Sequence, residues 1–282
     1  MTTLTAATIG RAHQIQRVGT RIAKGIAVLF VPLAALLGCW YLFLAVIDTS
    51  PLIAKSPTDV WHDLTAGPDA AASRQALVDA LWTTLWHAGL GMLTGLACAC
   101  VFAVATTLSS IAGHVIRPIA IALTCIPTVA FAPIIILMLG NELAVVAAIG
   151  GLITMVPCLY YLMQALSEVS PEMVDSIRAG GGRKRHILLY AQLPTAVPAL
   201  ALSLRIAAPG AFIGALLAEW LATGNGLGLL MISSQSTFDY GTVWAATFLV
   251  TVVAMIAYGL AVIVEHRLLR RWAPHHDGMD IL

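Results

Sequence analysis

The feature that most constrains this chain is a run from Ala80 to Ile116 that contains no Lys, Arg, Asp or Glu. Residues 25–47 and 143–167 are also uncharged. A transmembrane helix needs about 20 apolar residues, so each run is long enough to cross a bilayer. The 282-residue chain is 59% hydrophobic and 10% charged, with a mean hydropathy of +0.89. It has too little polar surface for a soluble globule, and we predict an all-α, polytopic membrane protein.

The apolar runs predict six transmembrane helices. They are residues 25–47, a helix within 80–116, then 118–139, 143–166, 196–221 and 242–264. The predicted division of the chain is a cytosolic N-terminal segment (1–24), the first helix (25–47), an extracytoplasmic linker with a short helix (48–79), the main transmembrane domain (80–265) and a cytosolic tail (266–282).

Basic residues divide unevenly between the two sides of this topology. With the N-terminus in the cytosol, only Lys55 and Arg74 lie outside, and Arg205 falls within a helix. Positive residues concentrate in cytosolic loops, so this asymmetry predicts that both termini are cytosolic. The net charge of +1 predicts no nucleic-acid partner. The twelve basic residues on the cytosolic side are Arg11, Arg17, Arg21, Lys24, Arg117, Arg178, Arg183, Lys184, Arg185, Arg267, Arg270 and Arg271.

A polar hairpin interrupts the apolar sequence between residues 170 and 194. Ser170 is predicted to cap a helix that begins at Pro171, and three glycines starting at Gly180 are predicted to end it. A second short helix opens with the basic cluster at 183–185, and Pro194 is predicted to turn the chain back into apolar sequence. The basic cluster places this hairpin in the cytosol.

The spacing within the hairpin resembles the "EAA" loop of ABC importer permeases. An acidic residue is followed by a glycine six positions later and then by a Leu-Pro pair, here Asp175-Ser176-Ile177, Gly181 and Leu193-Pro194. The chain has Asp-Ser-Ile where the family usually has Glu-Ala-Ala. In that family the loop is a coupling helix that docks on a cytosolic ATPase. The alternative is an ordinary solvated loop. The ATPase-coupling residues that the resemblance implies are Asp175, Ser176, Ile177, Gly181, Arg183 and Lys184.

Two other segments resemble the nitrate, sulfonate and taurine group of these permeases. They are Ser56-Pro57-Thr58-Asp59-Val60-Trp61, and Ala218-Glu219 ahead of Gly226-Leu227-Gly228. The resemblance implies a type I, MetI-like permease of the bacterial plasma membrane that carries a small, anionic solute. It also implies two ATPase subunits, a second permease copy or paralogue, and an extracytoplasmic binding protein as partners. ATP and Mg²⁺ would bind the ATPase, and we expect no cofactor, metal or catalytic residue in this chain.

Three prolines mark the helices most suited to line a pathway. Pro127 and Pro133 lie in the predicted third helix and Pro157 in the fourth. A proline frees backbone groups, and a membrane helix tolerates this where protein or a cavity satisfies them. We therefore place all three in the translocation pathway.

Arg205 and Glu219 complete the predicted pathway set. Charged groups within a span cost at least about 2.5 to 3.5 kcal/mol and are functional candidates by default. For Arg205 the alternative is snorkelling or structural pairing near the cytosolic face. For Glu219 it is packing or gating of the external loop. His87 is expected to be satisfied by its neighbours, and no carboxylate lies near it in the sequence.

The chain contains neither a GxxxxGK[ST] loop nor an HExxH motif. ATP chemistry is therefore predicted to belong to a partner, and the chain is predicted not to be an enzyme. The rival class is an ion-coupled secondary transporter without an ATPase. Such proteins commonly have doubled halves and midplane carboxylates, and neither is evident in the sequence.

Overall fold

The computed structural model describes residue 31 and residues 33–46, 50, 53–66, 70–125, 127–140 and 143–272. The predicted N-terminal segment (1–24), parts of the first helix (25–47) and the end of the tail lie outside the described residues. The chain divides into two compact units, residues 1–68 and 69–282.

The first unit contains two described helices, α1 (Leu33–Val46) and α2 (Pro57–Ala66). The predicted cap of α2 is present. The Ser56 backbone N–H donates to Asp59 Oδ2 over 2.9 Å, and the Asp59 N–H donates back to Ser56 Oγ over 3.2 Å. This is a capping box. The hydrogen bonds from Ser56 hold the pKa of the Asp59 carboxyl below its usual value.

The second unit is helical wherever it has regular structure. Its elements are α3 (Ala70–Leu108), α4 (Ser110–Cys125), α5 (Thr128–Leu139), α6 (Leu143–Ser167), α7 (Pro171–Ala179), α8 (Lys184–Ile187), a π-helix (Leu188–Gln192), α9 (Leu193–Leu221), α10 (Leu227–Ser236) and α11 (Tyr240–Trp272). The short α7 and α8 form the hairpin. We call the end of the unit that carries them the hairpin end, and the end that carries α10 the opposite end.

The core of this unit is the packing of α3, α6 and α9, which approach closely at glycines. A methyl group on Gly91 of α3 would lie 2.9 Å from Gly150 Cα in α6, and one on Gly214 of α9 would lie 2.6 Å from the same atom. Thr94 also donates a hydrogen bond from α3 to Ala147 O in α6, over 3.1 Å. Small residues at helix crossings are the usual basis of tight packing in membranes, where lipid offers no hydrophobic drive.

Four described helical rods are long and apolar enough to cross a membrane: Ala70–Leu108, Leu143–Ser167, Lys184–Leu221 and Tyr240–Leu269. The bent pair Ser110–Leu123 and Thr128–Leu139 makes a fifth if the two count as one span. The six predicted spans are therefore not confirmed. The described part of the first, Leu33–Val46, is apolar but shorter than a full crossing.

The predicted third helix, residues 118–139, is not continuous. The chain breaks at Pro127, which has ψ 113° and lies outside any helix, and the two flanking helices meet at 109°. Pro127 has no N–H and disfavours a helical conformation in the residue before it, so it separates α4 from α5. Pro133, in contrast, stays inside α5.

The prediction that Pro194 turns the chain was wrong. The helical segment from Lys184 to Leu221 continues through it. The preceding turn widens into the π-helix, where the Leu193 N–H bonds to Leu188 O, five residues back. A wider turn of this kind accommodates a proline that removes one helical hydrogen bond. The start of α3 also differs, because Ala70–Asp79 of the predicted linker is helical and continuous with the span.

Candidate functional site

The hairpin has the predicted start. Ser170 has extended backbone angles and its Oγ accepts a hydrogen bond from the Met173 N–H over 3.4 Å, while Pro171 opens the helix. Asp175 lies on α7 with its side chain 73% exposed, 3.5 Å from the Arg178 guanidinium. Ser176 is also exposed and Ile177 is half-buried.

The end of α7 depends on two of its three glycines. The Gly182 N–H bonds to Ile177 O and the Gly181 N–H to Arg178 O, which is the Schellman arrangement. Gly181 has φ +80°, a conformation that L side chains rarely adopt. A methyl group on Gly182 would lie 2.6 Å from Ile177 O, whereas one on Gly180 would make ordinary contacts at 3.5 Å.

The hairpin's short helices contribute little to the core. None of the nine residues of α7 is buried. In α8, the only buried residue is Ile187, and the predicted coupling residues Arg183 and Lys184 are both exposed. A helix this short is not stable alone in water, so α7 depends on its caps or on a partner.

Of the three predicted pathway prolines, one lines a cavity. A cavity of about 260 Å³ lies between α4, α5 and α6, and Pro157 is in its wall together with the residues Leu123, Thr128, Phe131, Leu152, Ile153 and Val156. Pro127, just before α5, and Pro133, within α5, are both exposed. The lining contains no charged side chain.

Arg205 is bound to α11. Its Nε donates to the Tyr258 hydroxyl over 2.8 Å and its Nη1 lies 3.2 Å from Glu265 Oε2. The guanidinium also lies 5.3 Å from the centre of the Tyr258 ring, within range of a cation–π contact. Two of its five N–H donors therefore have partners on α11, which favours structural pairing of Arg205.

Glu219 is the centre of a buried polar cluster at the opposite end. Its side chain has no exposed surface. Oε1 lies 2.8 Å from His87 Nδ1, and Oε2 accepts hydrogen bonds from the Thr84 hydroxyl over 3.0 Å and from the Gly228 N–H over 2.8 Å. An ionised carboxylate only accepts, so in this form the hydrogen lies on Nδ1. Thr84 in turn accepts from the Leu227 N–H over 2.9 Å.

Glycines leave the space that the Glu219 carboxylate fills. Gly226 has φ +94°, and a methyl group on it would lie within 2.5 Å of both carboxylate oxygens. A methyl group on Gly228 would lie 2.8 Å from Glu219 Cβ. A larger residue at Gly226 would displace the carboxylate, and one at Gly228 would collide with Glu219 Cβ and with the backbone oxygen of Leu216 on α9.

The sequence analysis missed the role of Thr84 and the partner of His87. The histidine is satisfied by a neighbour as expected, but that neighbour is a carboxylate 132 positions away in the chain. The available signal was the pattern of a glutamate ahead of two glycines, which marked Glu219, Gly226 and Gly228 but not their partners on α3.

Within the described residues, no three His, Cys, Asp or Glu side chains form a group that could hold a metal ion. The functional candidates are thus the exposed hairpin, the apolar cavity beside Pro157 and the Glu219 cluster.

Comparison with known proteins gives one family and several relatives. The family model described as "Binding-protein-dependent transport system inner membrane component" matches residues 77–270. The riboflavin transport system permease protein RibX of Chloroflexus aurantiacus is 31% identical over 157 residues, which span 56% of this chain and 58% of that relative. A probable ABC transporter permease protein of Haemophilus influenzae is 29% identical over 198 residues, covering 68% of this chain and 81% of the relative.

A third relative is the formylaminopyrimidine transport permease protein ThiX of Halalkalibacterium halodurans. It is 28% identical over 154 residues, 55% of this chain and 62% of its own length. Among solved structures, the inward-facing MetNI methionine ABC transporter aligns with a TM-score of 0.54 and 16% identity, over 72% of this chain and 99% of that one. This last likeness concerns the fold.

Proposed function

The chain belongs to the family of binding-protein-dependent transport system inner membrane components, and from that premise we propose that it is the permease subunit of an ATP-driven importer. The matched region, residues 77–270, contains the hairpin, the cavity and the Glu219 cluster. The chain would form part of the membrane pathway. ATP and Mg²⁺ would bind a separate ATPase, and an extracytoplasmic binding protein would deliver the solute.

The observation that best supports this proposal is the exposure of α7. This helix has a side-chain cap, a Schellman end and no buried residue. Its shape is fixed locally, and all of its residues except the half-buried Val174 and Ile177 are exposed and available to a partner. We propose that the hairpin inserts into a cytosolic ATPase, with Asp175, Ile177 and Gly181 at the contact.

The charge distribution supports the orientation. The hairpin end carries Arg178, Arg183, Lys184 and Arg185, and positive residues favour the cytosolic side of a bacterial membrane. The opposite end, with α10, would then face the binding protein.

A second permease copy or paralogue would complete the pathway. In α5 the apolar side chains Ile134, Leu137 and Met138 are 53%, 86% and 79% exposed in the single chain. This surface lies next to the cavity lined by Thr128 and Phe131. Lipid or a second permease would cover it. Pairing of two copies at this surface would place one cavity on each side of a twofold axis.

We propose that the solute is a neutral or weakly charged heteroaromatic compound, in place of the sulfonate-like anion that the sequence resemblance implied. Two relatives carry the names of riboflavin and formylaminopyrimidine permeases. Two further observations agree with this choice. Phe131 lines the cavity, and none of its lining side chains is basic. The guanidinium of Arg205 is bound by Tyr258 and Glu265.

The proposed mechanism is alternating access. ATP binding closes the two ATPase subunits, the hairpin carries that movement to α6 and α9, and the cavity opens toward the opposite end. Hydrolysis reverses the change. The bend at Pro127 and the π-helix before Pro194 are the irregular positions at which the rods can flex.

The test is reconstitution of the permease with its ATPase and binding protein in liposomes, followed by uptake of riboflavin, a formylaminopyrimidine or taurine. We expect ATP-dependent uptake of one of the two heteroaromatic compounds and none of taurine. Taurine uptake would restore the sulfonate-type assignment. Uptake driven by an ion gradient without ATP would support a secondary transporter.

A further inference from the structure

Helix α10 packs against α11, and its first turn is hydrogen-bonded to two other spans, α3 and α9. Of its ten residues only Leu227, Gly228 and Ser234 are buried, and two of these open the helix. The first amides of a helix have no partner within it. Here the Leu227 N–H bonds to Thr84 on α3, and the Gly228 N–H bonds to Glu219 on α9. The start of α10 is thus bound to two spans at once.

The carboxylate of Glu219 joins all three elements. It belongs to α9, it receives hydrogen bonds from Thr84 and His87 of α3, and it receives the amide of Gly228. It also lies at the positive end of the α10 dipole, which favours a negative charge there. A buried ionic group is costly compared with an apolar one of similar size, so it is commonly associated with a specific arrangement more than with stability.

We propose that Glu219, His87 and Thr84 form a clasp that fixes α10 across the ends of α3 and α9, so that the three move as one body during transport. In this role Glu219 is a positioning residue for α10 and does not contact the solute. The inference rests on the proposed function for its link to transport. The clasp itself depends only on the contacts above.

The shape of the turn before α10 agrees with this role. Gly226 has φ +94° and ψ 174°, a region open essentially to glycine alone, and the Glu219 carboxylate occupies the space beside it. Gly224, two residues earlier, has nothing within 4 Å of an added methyl group. The same turn therefore offers a disruptive variant, Gly226→Ala, and a matched control, Gly224→Ala.

Hydrogen exchange measured by mass spectrometry tests the clasp in the purified permease–ATPase complex. Without nucleotide, Glu219→Ala and Gly226→Ala should raise the exchange rate of the Leu227–Leu230 amides by about tenfold or more, because local opening exposes them. Gly224→Ala should leave the rate unchanged. Exchange in α6 serves as the measure of overall folding, and Thr84→Val replaces Glu219→Ala if that variant does not fold.

Glu219→Gln distinguishes positioning by hydrogen bonds from a requirement for charge. Its amide oxygen can accept from Gly228 and Thr84, and its N–H₂ can donate to Nδ1 of the other histidine tautomer. We expect α10 to exchange within about threefold of the wild type in this variant. Equal loss of protection in Glu219→Gln and Glu219→Ala would overturn a clasp made of hydrogen bonds.

The second arm adds ATP, Mg²⁺ and vanadate, which needs no knowledge of the solute. In the wild type we expect exchange in α10 and in the adjoining end of α9 to change together. In Glu219→Ala the change in α10 exchange caused by nucleotide should be about 5- to 150-fold smaller than in the wild type, while ATP hydrolysis continues. A wild-type α10 response in that variant would overturn the proposal. If the wild type binds no ATPase, the proposed function fails, and the nucleotide-free measurement on the permease alone still tests the clasp.

Discussion

The two ends of the second unit hold their short helices in opposite ways. At the hairpin end, α7 has no buried residue, and the carboxylate of its Asp175 is exposed to solvent. At the other end, the first turn of α10 is hydrogen-bonded to Glu219, whose carboxylate has no exposed surface and also accepts a hydrogen bond from Thr84 on α3. The difference agrees with the proposal that the hairpin contacts another protein, whereas α10 is hydrogen-bonded to its own chain.

The comparison predicts its largest difference in the effect on protein stability of removing each of the two carboxylates, Glu219 and Asp175. Glu219→Ala removes the partner of His87 and of the Gly228 amide inside the protein, and should lower the free energy of unfolding by about 3 to 5 kcal/mol. Asp175→Ala removes an exposed ion pair and should change it by less than about 0.5 kcal/mol. Thermal unfolding of both variants in the same detergent gives the values. Similar midpoints would show that the cluster is not a stabilising centre.

Arg205 provides an intermediate case, because its ion pair is half-buried. Arg205→Met leaves Glu265, whose side chain is 12% exposed, without its cation, and should cost about 1 to 3 kcal/mol. Tyr258→Phe removes a single hydrogen bond and should cost about 1 kcal/mol. If both variants were as stable as the wild type, the contacts of Arg205 between α9 and α11 would not contribute to stability.

In the hairpin, the effect of a substitution should depend on backbone angle. Gly181→Ala forces an L residue to φ +80°, at a cost of about 1 to 2 kcal/mol. Gly180→Ala is the matched control, since its φ is −76° and an added methyl group makes ordinary contacts. We expect faster exchange of the Gly182 amide in the first variant only. Equal exchange in both would mean that the Schellman end does not control the hairpin.

The smallest effect concerns a third, exposed carboxylate, Asp59, in the first unit. Its folded pKa lies below the usual value, so its contribution to α2 is present above the unfolded pKa and is lost as pH falls through the folded one. Between pH 5 and pH 3, exchange near Ser56 should rise in the wild type, after correction for intrinsic rates. It should rise less in Asp59→Asn, which does not titrate. The same pH response in both would exclude the cap as its cause.

The sequence predicts the hairpin well because its determinants are local. A serine cap, a proline at the first position and glycines at the end act within one or two turns, and the structure has each of them. The capping box at Ser56 and Asp59 was predictable for the same reason.

Other features depend on distant residues or on a choice between similar local outcomes. His87 and Glu219 are far apart in the chain, and nothing near either residue marks the other as its partner. The prolines were visible, yet their effects differ. Pro127 separates two helices, Pro133 stays inside one, and Pro194 follows a widened turn. Packing around each proline selects among these outcomes, and sequence spacing does not encode that packing.

Co-purification tests whether the exposed hairpin binds an ATPase. Tagged wild type, the double variant Asp175→Lys, Gly181→Val and the control Gly180→Ala are isolated gently from native membranes, and their stoichiometric partners are identified by mass spectrometry. The proposal predicts one soluble ATPase with the wild type and with Gly180→Ala, and its loss from the double variant. An ATPase bound equally to all three would place the docking surface elsewhere, and no ATPase with any of them would contradict the importer assignment.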